Sequence, residues 1–397
     1  MTWSHDLFGC GPGDLPVAGV ARAVWQADEL TAAGDRAAAG PPAETGAPGE
    51  GVTSDPPVVT GSDVVVSAGY LRALRALAAE RRRPVRAAVA LGPIHDEFGA
   101  NTLGCVTATS TAAGEGLAYA LTVGCGEASE LGVVDPLLTV MSRSPQPGRM
   151  ASPITGFGGD RFIWSVNHWY DVLVINLLAT QSACGRQIAN TIAADASVHP
   201  TAVVENSTVE PGATVGPFAV VRNAHIGTDT TVEEQVSIRG SIVGPGSVLQ
   251  TRSMVHGSTV GPETVISFHT AIRGSVVFGR STISAPVVAR SVIGPDTFLA
   301  RGVSISASTL ADTPVVVRVG GRLVDTGARL VGCAVGRGAR IGNGIDIPAG
   351  YTVPADTRLA ARPIPHIEAD PPKSSSTTLL LDGGRFRTLP TRRTNPQ

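Results

Sequence analysis

A column of basic residues is the first feature of this sequence that could do chemistry. Arg222, Arg239, His256, Arg273 and Arg290 follow one another at equal intervals along the chain. Arginine binds phosphate through a planar fork of N–H donors, and histidine can accept a proton near neutral pH. The column could therefore hold the phosphates of CoA or of a nucleotide sugar beside a general base. It could equally be a solvated edge, or a contact in which acids of a neighbouring subunit pair with the arginines.

Aliphatic residues with the same interval indicate which elements would position this column. Within each unit the aliphatic anchors are separated by five, six and six residues, as in Val221, Ile226, Val232 and Ile238. A helix would place apolar residues every three or four positions, and a flat sheet every two. A chain that bends at three corners and stacks on itself fits the observed period, with rungs about 4.8 Å apart. The sequence therefore predicts a triangular solenoid of short parallel strands.

The anchors belong to a recurring motif. Gly227 and Gly244 follow the anchor on one face, where a corner needs permissive backbone angles, and a small residue such as Ser247 comes four positions after the anchor. This pattern resembles the hexapeptide-repeat proteins over about Ile192 to Arg362. The resemblance implies an all-β, left-handed parallel β-helix, usually a homotrimer. It also implies a transferase that takes an acyl group from acyl-CoA or acyl carrier protein.

Acyltransferases of this family use a histidine as general base, and two histidines of the solenoid could serve. His256 interrupts the arginine column, and His269 lies at a corner one rung later. Each could instead be a structural histidine, which is the role that we expect for His199 and His225. In γ-class carbonic anhydrases, which share the solenoid, two zinc-binding histidines stand five residues apart. No such pair is present here, so we predict no metal site.

Residues 1–185 lack the solenoid pattern. Helical periodicity over Val20–Ala33 and Gly69–Arg83 alternates with strand-like sequence such as Val85–Leu91, which favours an α/β domain. Residues 39–57 are rich in Pro, Gly, Ala and Glu, which predicts a mobile loop. We therefore predict an N-terminal α/β domain over 1–185 followed by the solenoid.

This domain order resembles sugar-nucleotide enzymes that join a nucleotidyltransferase domain to a hexapeptide solenoid, as uridyltransferase/acetyltransferases do. Leu15–Val20 resembles the segment in which those enzymes carry Leu-Pro followed by a lysine, and Trp164–Asn176 resembles a linker helix. Within the latter, His168 and Asp171 could form an acid/base pair, although a packing role is the simpler interpretation.

The catalytic residues of such a domain are missing. The candidate phosphate loop Phe8–Asp14 lacks the expected Thr-Arg, and Pro12 removes one of its N–H donors. The lysine after Leu-Pro is absent, and Val66–Gly69 contains no acid where a metal-binding aspartate is expected. The resemblance therefore implies a degenerate domain, which would need Mg²⁺ only if nucleotidyl transfer is active.

Thr313–Arg329 interrupt the solenoid, which we predict to extend over 186–362. Gly320 and Gly321 suit a tight turn, so the interruption is predicted to be a hairpin, either a ligand-binding loop or a packing arm. Residues 363–397 are predicted to be an extended tail with a short hairpin that begins at Leu379.

Composition narrows the class of protein. A net charge of -2 argues against a nucleic-acid partner, and five cysteines without C-x-x-C spacing predict reduced thiols in a cytoplasm. The N-terminal residues lack the order of a signal peptide, and the apolar run Val172–Ala179 is too short to span a bilayer.

Three functions remain open. The first is a hexapeptide-repeat transferase that moves an acyl group to a sugar or nucleotide sugar, with His256 or His269 as base and Arg222, Arg239, Arg273 and Arg290 as the donor-binding residues. The second is a sugar-1-phosphate nucleotidyltransferase with an atypical site. The third is a non-catalytic structural or regulatory solenoid.

Overall fold

The computed structural model comprises two compact units, Met1–Leu359 and Ala360–Gln397. The described residues are 7–8, 16–17, 20–21, 58–60, 64–91, 107–111, 114–123, 130–134, 139–143, 154–158, 161–309, 311, 313–319, 321–361, 379–382 and 385–388. The predicted loop over 39–57, the glycine-rich segment 9–14 and most of the predicted tail lie outside them.

Among the described residues, short strands and two long helices form the N-terminal part of the first unit. The strands are β1 (Pro16–Val17), β2 (Val20–Ala21), β3 (Val58–Thr60), β4 (Val64–Val66), β5 (Val85–Ala90), β6 (Thr107–Thr111), β7 (Gly114–Val123), β8 (Glu130–Val133), β9 (Thr139–Arg143), β10 (Ile154–Gly158) and β11 (Ile163–Ser165). The helices are α1 (Ala68–Arg81) and α2 (Trp169–Gly185). Strand β7 pairs antiparallel with β3, β5 and β6, and β5 pairs parallel with β8. The predicted α/β class is confirmed.

Helix α1 begins after Ser67, whose Oγ accepts a hydrogen bond from the Tyr70 N–H at 3.4 Å. Its apolar face packs against β5 and β7 in one buried cluster that includes Leu74 and Leu121. The helix predicted over Gly69–Arg83 is confirmed, but it ends at Arg81 because Arg82 is a left-handed C-cap. The helix predicted from Val20 is wrong at its first two residues, because Val20 and Ala21 form β2 and pair antiparallel with β1.

Helix α2 joins the two parts of the unit. His168 caps its N-terminus by accepting from the Tyr170 N–H, and Asp171 accepts in return from the His168 N–H at 3.0 Å. This reciprocal capping satisfies N–H groups that a helix start leaves unpaired. Nearly every side chain of α2 is buried, which is expected for a helix that is apolar all round.

The solenoid has three faces of parallel strands. Face 1 consists of β12 (Thr191–Ile192), β15 (Thr208–Val209), β18 (His225–Ile226), β21 (Ile242–Val243), β24 (Thr259–Val260), β27 (Val276–Val277), β30 (Val292–Ile293), β35 (Ala334–Val335) and β38 (Thr352–Val353). Face 2 consists of β13 (Ser197–Val198), β16 (Thr214–Val215), β19 (Thr231–Val232), β22 (Val248–Leu249), β25 (Val265–Ile266), β28 (Thr282–Ile283), β31 (Phe298–Leu299), β36 (Arg340–Ile341) and β39 (Arg358–Leu359). Face 3 consists of β14 (Val203–Glu205), β17 (Val220–Arg222), β20 (Ser237–Arg239), β23 (Met254–His256), β26 (Ala271–Arg273) and β29 (Val287–Ala289). Strand β32 (Ser304–Ile305) pairs with β37 (Asp346–Ile347).

Aliphatic anchors and small hydroxyl residues fill the interior. Val221, Ile226, Val232 and Ile238 are all buried in one core cluster. After the face-1 anchors, Ser and Thr hydroxyls donate to carbonyl groups of the next rung, for example from Ser247 to Gly261 at 3.0 Å. These hydroxyls thus form hydrogen bonds with backbone groups that lie inside the core where the chain bends between strands.

One rung is a residue shorter than its neighbours. Met254 pairs with Ala271 and Ala271 pairs with Val287, so the interval between register partners drops by one at this rung. The missing residue comes from the corner between faces 2 and 3, which therefore lacks the N–H that would bond to the Phe268 carbonyl. The Arg301 guanidinium takes the place of this N–H and donates to the Phe268 oxygen at 2.9 Å. The same guanidinium lies over the Phe268 ring, 4.0 Å from its centroid.

Face 1 is covered from outside by α2 and by the predicted hairpin. The hairpin strands β33 (Val316–Val319) and β34 (Arg322–Asp325) pair antiparallel. Val315 and Val317 share a buried cluster with α2 and with outward residues of face 1 such as Val276. The hairpin is therefore a packing arm. In the second unit, β40 (Leu379–Asp382) and β41 (Arg385–Thr388) form the predicted short hairpin.

Candidate active site

Face 3 aligns four of the five basic residues of the column. Arg222 is the register partner of Arg239, Arg239 that of His256, and His256 that of Arg273. Each follows a buried anchor directly, so its side chain points away from the core. The structure therefore places one half-buried imidazole between two exposed guanidiniums on the outer side of face 3.

The fifth residue lies elsewhere. Because of the short rung, Ala289 is the register partner of Arg273, and Arg290 lies one position later, at the corner. Its backbone is left-handed, with φ 49, as at Gly274 in the preceding rung. The Arg290 side chain lies over Gly274, where an added Cβ would be 3.2 Å from its Cδ. Arg290 is thus outside the column, although the equal sequence intervals include it.

The arginines of the column differ in their partners. Arg222 Nε lies 2.9 Å from Glu205 Oε2, and Glu205 is its register partner on β14. Neither Arg239 nor Arg273 has an acidic partner in the part of the chain that the structure describes, and the Arg273 guanidinium donates to the Met254 sulfur at 3.6 Å. Two exposed guanidiniums thus remain available for an anion.

His256 is half-buried between them. Its Nε2 lies 2.9 Å from Ser237 Oγ, and the two atoms share a hydrogen bond. Burial, followed by the positive charges of Arg239 and Arg273, lowers the pKa of His256 to about 4. The imidazole is therefore neutral at pH 7 and keeps a lone pair. The spacing of the basic residues does not reveal Ser237 as a neighbour of His256, although its position two residues before Arg239 puts it on the same side of the strand.

His269 occupies a different environment. It is exposed at the corner between faces 2 and 3, in left-handed backbone with φ 58. Its ring meets that of Phe268 edge-on at 5.8 Å, and Arg301 stacks on the same Phe268 ring. The structure thus separates the two candidate bases: one lies within the basic column and the other beside an aromatic corner.

The remaining solenoid histidines have structural contacts. His225 Nε2 lies 2.7 Å from Glu210 Oε1, and His199 Nδ1 lies 2.9 Å from Thr201 Oγ1. His168, at the start of α2, lies 3.3 Å from the Arg318 carbonyl of the hairpin, and burial lowers its pKa to about 4. This histidine therefore caps a helix and contacts the packing arm.

The N-terminal part shows what replaces the expected aspartate. Ser67 follows β4, is buried, and receives a hydrogen bond from the Phe162 N–H at 2.9 Å. The residue thus holds the start of α1 against β11. In the described residues no cluster of three or more His, Cys, Asp or Glu could hold a metal ion. No helix among them is long and apolar enough to cross a membrane.

The solenoid is similar to parts of several known proteins. Residues 187–293 match the family described as GMPPB C-terminal domain. PerB from Caulobacter crescentus, solved with CoA and GDP-perosamine, is similar at 19% identity and a TM-score of 0.23, over 30% of this chain and 51% of PerB. The acetyltransferase domain of PglB from Neisseria gonorrhoeae is similar at 20% identity and a TM-score of 0.25, over 31% of this chain and 65% of that domain.

The PglB domain in complex with acetyl coenzyme A is similar at 17% identity and a TM-score of 0.20, over 47% of this chain and 64% of that domain. This chain thus spans about half to two thirds of the solved proteins that it resembles. No curated protein matches the sequence. The C-terminal region is a parallel β-solenoid, and the segment 187–293, which matches the GMPPB C-terminal domain, lies within it.

Proposed function

We propose that this protein is a hexapeptide-repeat transferase that moves an acyl group from acyl-CoA to a sugar or nucleotide sugar. One observation carries the proposal: a neutral His256 between Arg239 and Arg273, two guanidiniums without acidic partners among the described residues. A general base needs a free lone pair, and phosphate-bearing substrates need unpaired cations. Face 3 offers both within three adjacent strands.

The reaction follows from these groups. The His256 imidazole takes the proton from an acceptor hydroxyl or amine as the acceptor oxygen or nitrogen attacks the thioester carbonyl. The carbon–sulfur bond then breaks, and the CoA thiolate receives the proton from the imidazolium. Arg239 and Arg273 bind phosphates of the donor or of a nucleotide-linked acceptor, so that the reacting groups meet at the imidazole.

The other predicted site residues have smaller parts in this proposal. Arg222 would contribute to phosphate binding only by exchanging its ion pair with Glu205 for one with the ligand. Arg290 would reach a ligand only at the corner. His269 stays the competing base, and its exposed ring lies at the corner, outside the column of basic residues on face 3.

We also propose that the chain forms a homotrimer in a cytoplasm. In a single chain the outer sides of faces 2 and 3 carry exposed apolar residues, among them Val203, Val287 and Phe298, and burial of such residues between copies would be favourable. Cys184 and Cys333 are buried free thiols, which supports a reducing compartment.

The test is acyl transfer by three matched variants. Purified protein is incubated with acetyl-CoA and amino- or hydroxy-sugars linked to nucleoside diphosphates, and release of CoA thiol is followed. We expect His256→Gln to lower kcat/KM by about 100-fold to 10,000-fold, because it removes the base. His269→Gln and His225→Gln are expected to retain normal rates. A normal rate in His256→Gln would show that His256 is not the base. Loss of activity only in His269→Gln would place the base at the corner between faces 2 and 3.

A non-catalytic solenoid that binds nucleotide sugars is the second candidate. Ser67 favours it, because the segment expected to carry a metal-binding acid has a serine there, which caps α1 and accepts from the Phe162 N–H. Under this alternative, nucleotide sugars would raise the melting temperature while no acyl transfer and no pyrophosphate release occur. Pyrophosphate release from a nucleoside triphosphate and a sugar 1-phosphate with Mg²⁺ would instead establish the nucleotidyltransferase.

A further inference from the structure

The charges around His256 determine how strong a base it is. Arg239 and Arg273 are its register partners on β20 and β26, and neighbouring strands lie about 4.8 Å apart. Both guanidiniums are positive at every accessible pH. Each therefore disfavours protonation of the imidazole between them, and in the described residues no acid on these strands opposes this effect.

Among the residues that the structure describes, the remaining neighbours of His256 are neutral or already paired. Ser237 and Met254 share its outward side, and the Gln181 amide of α2 contacts the nearby corner at Gly240. The nearest acid of face 3 is Glu205, three strands from His256, and it pairs with Arg222. An anion that binds Arg239 and Arg273 would thus be the main negative charge facing His256.

We propose that a phosphate or diphosphate group bridges Arg239 and Arg273 and thereby makes His256 a stronger base. The inference rests on the proposed function, because this phosphate belongs to the acyl-CoA donor or to the nucleotide-linked acceptor. The two arginines are separated by two strand spacings, about 10 Å, and their long side chains can converge on one anion. Binding neutralises both charges and adds a negative charge beside the ring.

The expected rise in the pKa of His256 follows from the relative size of the causes that lower it. Burial is the largest cause that lowers the pKa of His256, and the two arginines come second and third. Anion binding reverses only the arginine contribution, so we expect a rise of about one pH unit. The imidazole stays neutral at pH 7, and its basicity comes closer to the value that is best for proton transfer at that pH.

Ser237 links the anion to the ring. When the imidazole is protonated, both ring nitrogens carry hydrogen, so Nε2–H donates to Ser237 Oγ. The serine O–H is then free to donate to a phosphate oxygen. The 2.9 Å contact between the two side chains therefore lets the proton on His256 and the anion on the arginines stabilise each other.

The experiment is a side-chain NMR titration of the full-length protein with isotope-labelled histidine, with His256→Gln used to assign the resonance. The pH is varied between about 3.5 and about 8, which spans both the lowered and the ordinary pKa of histidine. The titration is repeated with pyrophosphate, with CoA, with a nucleoside diphosphate, and with chloride at the same ionic strength. The chloride arm reports general effects of salt.

We expect the pKa of His256 to rise by about one unit with pyrophosphate and with at least one phosphate ester, and to stay unchanged with chloride. A response to CoA alone assigns the phosphate to the donor, and a response to the nucleoside diphosphate alone assigns it to the acceptor. In Arg239→Gln/Arg273→Gln we expect a raised pKa without ligand and no response to ligand.

The inference is overturned if saturating ligands leave the His256 titration unchanged, if chloride is as effective, or if the double arginine variant responds like the parent. Acyl transfer measured on the same samples separates this result from the proposed function. Transfer without a shift overturns only the inference. A shift without transfer supports the anion site and refutes the acyltransferase.

Discussion

Removal of one buried hydroxyl from the solenoid tests the account of its interior. Ser247 is fully buried; its Oγ donates to the Gly261 carbonyl at 3.0 Å and accepts from the Thr264 N–H at 3.2 Å. In Ser247→Ala both backbone groups lose this partner and stay buried. An unsatisfied buried group costs about 1–3 kcal/mol, so we expect a loss of about 2–4 kcal/mol in the free energy of unfolding.

Ser253 is the matched control. Its Oγ is also buried, but it has no hydrogen-bond partner in the described part of the chain. Ser253→Ala removes a desolvated hydroxyl and leaves no new unpaired group, so stability should be unchanged or slightly higher. Urea unfolding followed by circular dichroism gives both values from the shift in midpoint. Equal losses in the two variants would refute the view that hydrogen bonds, rather than size alone, select these serines.

Three further predictions concern stability and assembly. Arg301→Ala should lower stability by about 1 kcal/mol in urea unfolding, because it removes both the stacking on Phe268 and the donor to its carbonyl, and Arg301→Lys should restore little. The pKa of His168 is about 4 in the folded protein, below its unfolded value. The free energy of unfolding should therefore fall as the pH drops from about 6.5 to about 4. His168→Asn, which keeps a helix cap, should reduce this loss by up to about 3 kcal/mol. Light scattering during gel filtration should give three times the monomer mass, and a monomer would refute the trimer.

The solenoid could be predicted because its signal repeats. Each rung contributes aliphatic anchors in a fixed order, and the register of faces 1, 2 and 3 follows the spacing of these anchors. The position of Arg290 could not be predicted from spacing alone. The rung before it is one residue short, so the interval that keeps the other basic residues in register leads to the corner instead of face 3.

The geometry of the candidate site could be predicted in part, and the features that could not be predicted have physical reasons. The column of Arg222, Arg239, His256 and Arg273 is visible in the sequence because parallel strands keep equivalent positions together. Ser237 was missed because its contact with His256 is a diagonal one between neighbouring strands, which no repeat of basic residues reveals. Which arginines are free depends on a neighbouring glutamate, and that is a property of the folded chain.

The N-terminal part was the least predictable from sequence. Helical periodicity from Val20 gave the wrong element there, because a short pairing with Pro16–Val17 makes it a strand. The role of His168 was also hidden. Its neighbours Asp171 and Trp169 suggest either chemistry or packing, and only the structure shows that His168 and Asp171 cap α2 and that the histidine contacts the hairpin backbone.

The pH dependence of kcat/KM for acyl transfer tests the central claim most directly. This ratio reports the pKa of the essential base in the free enzyme, and burial and two arginines lower that of His256 to about 4. We therefore predict an acid limb of the wild-type profile near that value, and its disappearance in His256→Gln together with most of the rate. An acid limb near the ordinary histidine value, or an unchanged profile in His256→Gln, would contradict the assignment of His256 as the base.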